Sequence, residues 1–174
     1  MDQIYTHPKR KTKVVFVQLG SPSEPTTKAL RKYLRKFLGD PRVVDINPWL
    51  WKIILNFFVL PFRPKKSAKL YARIWDGKSF PLITNTRDFT NNVREELKKI
   101  DPNGYVEVNH AFLLSPPYVN EVYDSWEDDL KKGIGATKLL VIPMFPQYSE
   151  STIASGIDAL AKELSKRVKI PTFE

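Results

Sequence analysis

The sequence has no cysteine and only two histidines, His7 and His110, among 174 residues. The first absence excludes disulfides, thiolate metal sites, cysteine-ligated iron–sulfur clusters and a cysteine nucleophile. The second leaves no basis for a multi-histidine zinc site within the chain. Acidic residues are also short: 19 Asp and Glu stand against 28 Lys and Arg, a formal charge of +9. Such a surplus favours an anionic partner, whether nucleic acid, lipid surface or small molecule. Long apolar runs are missing too. The longest candidate, 49–62, is interrupted by Lys52, Asn56 and Pro61, so nothing is predicted to span a membrane. No segment has the makeup of a secretory signal. Glycine-rich phosphate loops and a nucleophile elbow are likewise absent, since Gly20 stands alone in its turn.

What is present is an alternation. Val14-Val15-Phe16-Val17 with Leu19 reads as a buried strand closed by Gly20-Ser21-Pro22. Thr26 or Thr27 caps a helix to Leu38 with Leu30, Tyr33, Leu34, Phe37 and Leu38 on one face. Pro48 and Pro61 bracket an almost wholly apolar helix. A basic helix from Arg63 to about Trp75 and another from about Thr86 to Ile100 follow. The apolar face of the latter is read as Phe89, Val93, Leu97 and Ile100. A second strand is predicted over 105–113, a helix from Pro117 through Leu130, and a third strand over 138–143. A helix follows from Ser151 to about Arg167, and a fourth strand over 168–173. The expected fold is therefore α/β: a doubly wound, mostly parallel four-stranded sheet with helices on both faces, over residues 13–174. Residues 1–12 form a basic N-terminal tail. Ligands of such sheets lie beyond the carboxyl ends of the strands. Three loops matter most: 19–22, 113–117 and 145–151.

Several features have a bland reading beside a functional one. His110 inside a strand suits a packed core residue. Asp124, Glu127, Asp128 and Asp129 suit a solvated helix face. Ser149 or Ser151 is expected to cap its helix, and the N–H groups there attract anions. The aromatics gather in one apolar block instead of alternating with basic residues, so no nucleic acid is expected as partner.

Four segments, in order and spacing, resemble the N-terminal half of ferrochelatase, the enzyme family that inserts ferrous iron into a porphyrin in haem biosynthesis. They are Val17-Gln18-Leu19-Gly20-Ser21-Pro22, the run from Lys36-Phe37-Leu38-Gly39-Asp40-Pro41 to Asp45, the run from Leu60-Pro61-Phe62-Arg63-Pro64 to Trp75, and Pro143-Met144-Phe145-Pro146-Gln147-Tyr148-Ser149-Glu150-Ser151-Thr152. The resemblance implies one chelatase-like lobe of two. It also implies a porphyrin-binding role for Leu19, Arg63, Tyr71, Gln147, Tyr148, Ser149 and Ser151. A hydrophobic lip is implied at Trp49, Trp51, Ile54, Phe57 and Phe58.

No cofactor is implied; ferrous iron and a porphyrin are substrates, and no catalytic or metal-ligating residue is assigned in this chain. The family's proton acceptor is a histidine of the second lobe, partnered by a glutamate. The expected partners are therefore porphyrin, the missing second lobe or an oligomer partner, and a membrane surface met by the lip. The expected location is cytoplasmic, peripheral to the inner membrane, and the chain alone is expected to be inactive. The alternative is a non-catalytic porphyrin- or haem-binding module, or a peripheral-membrane interaction module. Short homodimeric chelatases carry histidines near the first strand, and this chain has none there. The family's Arg-Tyr pair after the second strand is Leu113-Leu114 here. Its Gly-Ser-Pro is Ser79-Phe80-Pro81, its first loop tyrosine is Phe145, and its turn asparagine is Gln18.

Overall fold

In the computed structural model, which describes residues 11–133, 135–167, 170, 172 and 173, the alternation becomes one parallel sheet. Strands β1 (Thr12–Gln18), β2 (Val106–Phe112), β3 (Lys138–Pro143) and β4 (Thr172–Phe173) lie in the order β2-β1-β3-β4. Every pairing is parallel. Three strands are full length. The fourth is a two-residue stub pairing with Lys138 and Leu139. The remainder of the expected fourth strand (168, 169, 171) and residues 1–10 of the basic tail, with His7, lie outside the described residues.

The central strand β1 has apolar side chains on both sides because both faces are covered, as the continuous run Val14–Val17 requires. Its alternate residues divide two cores. Val15 and Val17 join Ala111, Tyr123, Trp126, Leu139 and Leu160 beneath helices α5 (Val119–Lys131) and α6 (Ser155–Leu164). Val14 and Phe16 join Val108, Val93 and Leu97 beneath α4 (Pro81–Ile100). A third cluster joins α1 (Thr27–Leu38) to the apolar segment that follows it. That segment comprises α2 (Pro48–Ile54) and the π-helical turn Leu55–Val59. Helix α3 (Arg63–Tyr71) packs on α1 and ends in a 3-10 turn over Ala72–Ile74.

Two helices differ from expectation. Helix α4 starts at Pro81, five residues earlier than expected, because proline suits the first helical turn. Its buried positions are Thr86 and Thr90, whose hydroxyls donate to the carbonyls of Leu82 and Thr86, both at 2.7 Å. This internal satisfaction lets polar residues lie against the sheet. Val93 and Leu97 pack as expected and Phe89 meets Phe16 edge-on at 5.1 Å. Ile100, at the helix end, is exposed. The expected helix from Ser151 is instead a π-helical turn over Glu150–Ala154 leading into α6. Lys13, at 1% exposure, lies buried beside the sheet, with Nζ 3.4 Å from Glu107 and 3.5 Å from Asp129. Two carboxylates and a buried ammonium meet the pairing that buried charge requires.

Candidate functional site

The carboxyl ends of β1, β2 and β3 are joined into one surface by backbone and side-chain hydrogen bonds. The Leu113 and Leu114 N–H groups donate to the carbonyls of Gln18 and Leu19, each at 3.0 Å, and Met144 N–H donates to Val17 at 2.8 Å. Gln18 is the clamp between them. Its Nε2 donates to the Met144 carbonyl at 2.8 Å and its Oε1 accepts from Leu19 N–H at 2.9 Å. An amide at this position can donate and accept at once, which a hydroxyl or apolar side chain cannot do over that span. Gly20 closes the turn with φ +92°. A Cβ there would lie 2.4 Å from Ser115 Oγ and 3.0 Å from Phe112 Cβ, so the loop after β2 approaches β1 only because glycine is present. The Ser21 N–H then donates to that same Ser115 hydroxyl at 3.3 Å.

The residues singled out from the sequence are distributed over this end of the sheet. Leu19 sits half-buried where the three loops meet. Gln147 and Tyr148 are exposed on the loop after β3, Tyr148 at 67%. Ser149 and Ser151 are half-buried with their hydroxyls 3.0 Å apart. Neither serine caps the following helix through its side chain; instead the Ser149 carbonyl accepts from the N–H groups of Thr152, Ile153 and Ala154. That arrangement follows from the π-helical opening, which presents several N–H groups to one carbonyl.

Arg63 is exposed at the start of α3, and its guanidinium has no ion pair among the described residues. Tyr71, two turns on, is half-buried against the rings of Tyr33 (6.2 Å) and Phe80 (5.5 Å). Burial, then the neighbouring Tyr71, pushes the Tyr33 phenol well above its ordinary range, so Tyr33 is a neutral donor to the Gly20 carbonyl at 3.4 Å.

The lip splits into two faces. Trp51 is half-buried: its indole N–H donates to the Leu38 carbonyl at 2.6 Å and its ring joins the α1 cluster. Ile54 is half-buried and Leu55 fully so. The expected lip residues Trp51 and Ile54 therefore lie toward the packed side. Trp49 (78%), Phe57 (69%) and Phe58 (67%) face solvent, extended by Leu50, Ile53 and Phe62. Asn47 caps α2 by accepting from the N–H groups of Trp49 and Leu50.

The departures from the family pattern pack coherently. Phe80, 2% exposed, sits edge-on between Tyr71 and Trp75, with the Trp75 ring at 4.7 Å. Leu113 packs against the α5–α6 core and Leu114 against the α1 cluster. His110 is the packed residue expected. It lies half-buried in β2 against Phe112, and burial, then Arg94 and Arg87, lowers its pKa. Among the described residues no group of three or more His, Asp or Glu side chains could hold a metal ion. No described helix is long and apolar enough to cross a membrane.

Sequence reasoning gave Tyr33 and Gln18 no site role and passed over a cleft of about 300 Å³ on the α1 side of the platform, lined in part by Lys32, Lys36, Lys78 and Trp75. The four-residue spacing of Lys32 and Lys36 was a signal that both reach one place.

Comparison with known proteins completes the assignment. The ferrochelatase family model matches residues 11–174. The chain is 42% identical over 158 residues to a ferrochelatase of Idiomarina loihiensis, covering 91% of this chain and 42% of that protein. It is 39% identical over 161 residues to a ferrochelatase of Actinobacillus pleuropneumoniae, covering 92% of this chain and 48% of that one. It is 37% identical over 166 residues to a coproporphyrin III ferrochelatase of Streptococcus mutans, covering 95% and 50%. The chain thus spans about half the length of these relatives. With the family pattern running through the sheet and all three of its strand-end loops, the chain belongs to the ferrochelatase family.

Proposed function

We propose that this chain supplies the porphyrin-holding lobe for insertion of ferrous iron into a porphyrin. The observation that carries the reading is the family match laid along three strand-end loops clamped into one platform. A porphyrin is a wide apolar disc with carboxylate arms. Leu19 and Tyr148 offer surfaces for its face. Arg63 has no carboxylate partner among the described residues and can take a carboxylate arm, which a guanidinium grips bidentately. Tyr71 and the hydroxyls of Ser149 and Ser151 complete the polar contacts, with Gln147 beside them.

The reaction exchanges Fe2+ for the two protons on the pyrrole nitrogens. It needs a base for those protons and walls that exclude water and hold the disc. In this reading the lobe binds and orients, and the base comes from a partner lobe or subunit. The exposed ridge of Trp49, Phe57, Phe58 and Phe62 meets an anionic lipid surface, aided by Lys52, Lys65 and Lys66 nearby.

The test is a titration of the 174-residue chain with protoporphyrin, followed by Soret absorbance, with zinc added at the end. Saturable binding without zinc porphyrin is expected. Arg63→Ala is expected to weaken it roughly tenfold or more, the scale of one charge-assisted contact. No saturable binding overturns the reading. Unchanged affinity in Arg63→Ala removes that residue from the site, and zinc porphyrin formation refutes the need for a partner.

A further inference from the structure

Two parts of the proposed porphyrin site stand on separate supports. The lip segment packs on α1, in the cluster of Tyr33, Leu34, Leu38, Leu55 and Leu60. The loop 145–151 follows β3 and runs through the π turn into α6, whose Leu160 belongs to the other core, beneath α5. Among the described residues none of 145–164 enters the lip's cluster. One pair of hydrogen bonds crosses between the two parts. Arg42 Nε donates to Asp158 Oδ2 at 2.7 Å and Arg42 Nη2 donates to Asp158 Oδ1 at 3.1 Å, a bidentate fork spanning 116 positions of chain. Among the described residues no other hydrogen bond or ion pair joins 40–62 to 145–164. Local structure sets both ends. Arg42 lies in the turn after α1, where its own N–H donates to Asp40 Oδ1 at 2.8 Å and the Asp40 carbonyl accepts from Val43 (2.9 Å) and Val44 (3.2 Å). Asp158 stands in the first turn of α6. Tyr148 and Glu150, on the loop itself, also act on the guanidinium electrostatically. The two side chains are 43% and 53% exposed, and ion pairs so exposed add little to folding stability. The geometric effect is larger, because a planar fork fixes both distance and angle between its carriers.

We infer that Arg42 and Asp158 are a positioning pair that holds the lip and the loop 147–151 in one fixed arrangement, so that both meet the same porphyrin. The identity of the ligand rests on the proposed function; the tether rests on the geometry alone. Neither side chain has to touch the ligand. Arg42 acts through the turn that leads into α2, and Asp158 through the first turn of α6 and the π turn before it. With the pair broken, each part keeps its own core but shifts against the other. A ligand that meets both must then order them, and that ordering is subtracted from its affinity.

The lack of cysteine allows a direct test, since Phe57→Cys with Gln147→Cys places spin labels on the lip and the loop alone. Their distance distribution, read by pulsed electron resonance in the full chain, should be narrow and should broaden when Arg42→Ala is added. An unchanged distribution overturns the inference. The unlabelled chain is then titrated with protoporphyrin, followed by Soret absorbance. Arg42→Ala and Asp158→Ala should each weaken binding by about three- to fivefold, the scale of an exposed ion pair, with the urea unfolding midpoint unchanged. Exchanging the two, Arg42→Asp with Asp158→Arg, should bring affinity back to within about twofold of the parent chain, a recovery that a merely structural role for either residue does not give. High salt should shrink the gap between the parent chain and the single variants. A loss in Arg42→Ala with none in Asp158→Ala means that Arg42 meets the porphyrin itself, and this overturns the pair, as does unchanged affinity in both. If porphyrin fails to bind the parent chain, the porphyrin reading falls, and the label distances still decide the tether: broadening upholds it and an unchanged distribution overturns it.

Discussion

The face under α5 and α6 and the segment after α1 are both rich in large apolar side chains, yet they use them in opposite ways. Beneath α5, Trp126 is 2% exposed, its indole N–H donates to the Ala136 carbonyl at 2.7 Å, and Tyr123 meets it edge-on. Along α2 and the π turn, one face (Trp51, Leu55, Leu60) packs on α1 while Trp49, Phe57 and Phe58 remain in water. Exposed rings contribute nothing to folding through burial, and contiguous patches of them mark surfaces that meet something else. Apolar composition therefore means stability in the first region and, under the proposed function, a surface for a partner in the second.

Four variants would break or sharpen this contrast. Trp126→Ala should cost about 3–5 kcal/mol in urea unfolding, the range for emptying a large buried ring site. A loss under about 1 kcal/mol would show that the α5 face is not the principal core. Gly20→Ala should cost about 1–3 kcal/mol from the left-handed backbone and the contact with Ser115. It should also weaken porphyrin binding, because Leu19 is displaced; an intact Soret titration would separate the turn from the site.

Tyr123 has a buried hydroxyl with no hydrogen-bond partner among the described residues, and burial pushes its pKa up to about 12. The unfolded group ionises at an ordinary pKa of about 10. The native state therefore keeps the proton that the unfolded state loses, and stability from this group is present below about pH 10 and falls between there and about 12. Tyr123→Phe should flatten that fall and raise stability at neutral pH by about 1 kcal/mol, since an unsatisfied hydroxyl is removed. Smallest in stability is the pair Phe57→Ser with Phe58→Ser, expected within about 0.5 kcal/mol of the parent chain. Its effect should fall on sedimentation with anionic phospholipid vesicles, and undiminished binding there would dissociate the ridge from lipid.

Much of this was legible in the residues. The Val14–Val17 run announced a strand covered on both faces, and β3 occupies the 138–143 segment as read. Thr26, accepting from Ala29 N–H at 3.2 Å, begins α1 where capping chemistry placed it. What resisted reading was the choice among faces. Trp51 and Trp49 are two residues apart in one apolar helix, and nothing local says which one turns to the Leu38 carbonyl. The same holds for α4, where satisfied threonines took sheet-facing positions and Ile100 did not.

The sequence by itself determined the order of elements and the parallel sheet, because hydrophobic period, caps and prolines act over a few residues and need no distant partner, while the chelatase-like character of the lobe came from the motif resemblance. Only the tertiary structure decided that Gln18 clamps β1 to β3, that Phe80 closes a wall with Tyr71 and Trp75, and that Lys36 and Lys78 converge on one hollow. Those contacts join residues 42 to 126 positions apart, or side chains on separate elements, and chain closure over such distances is fixed by packing and charge.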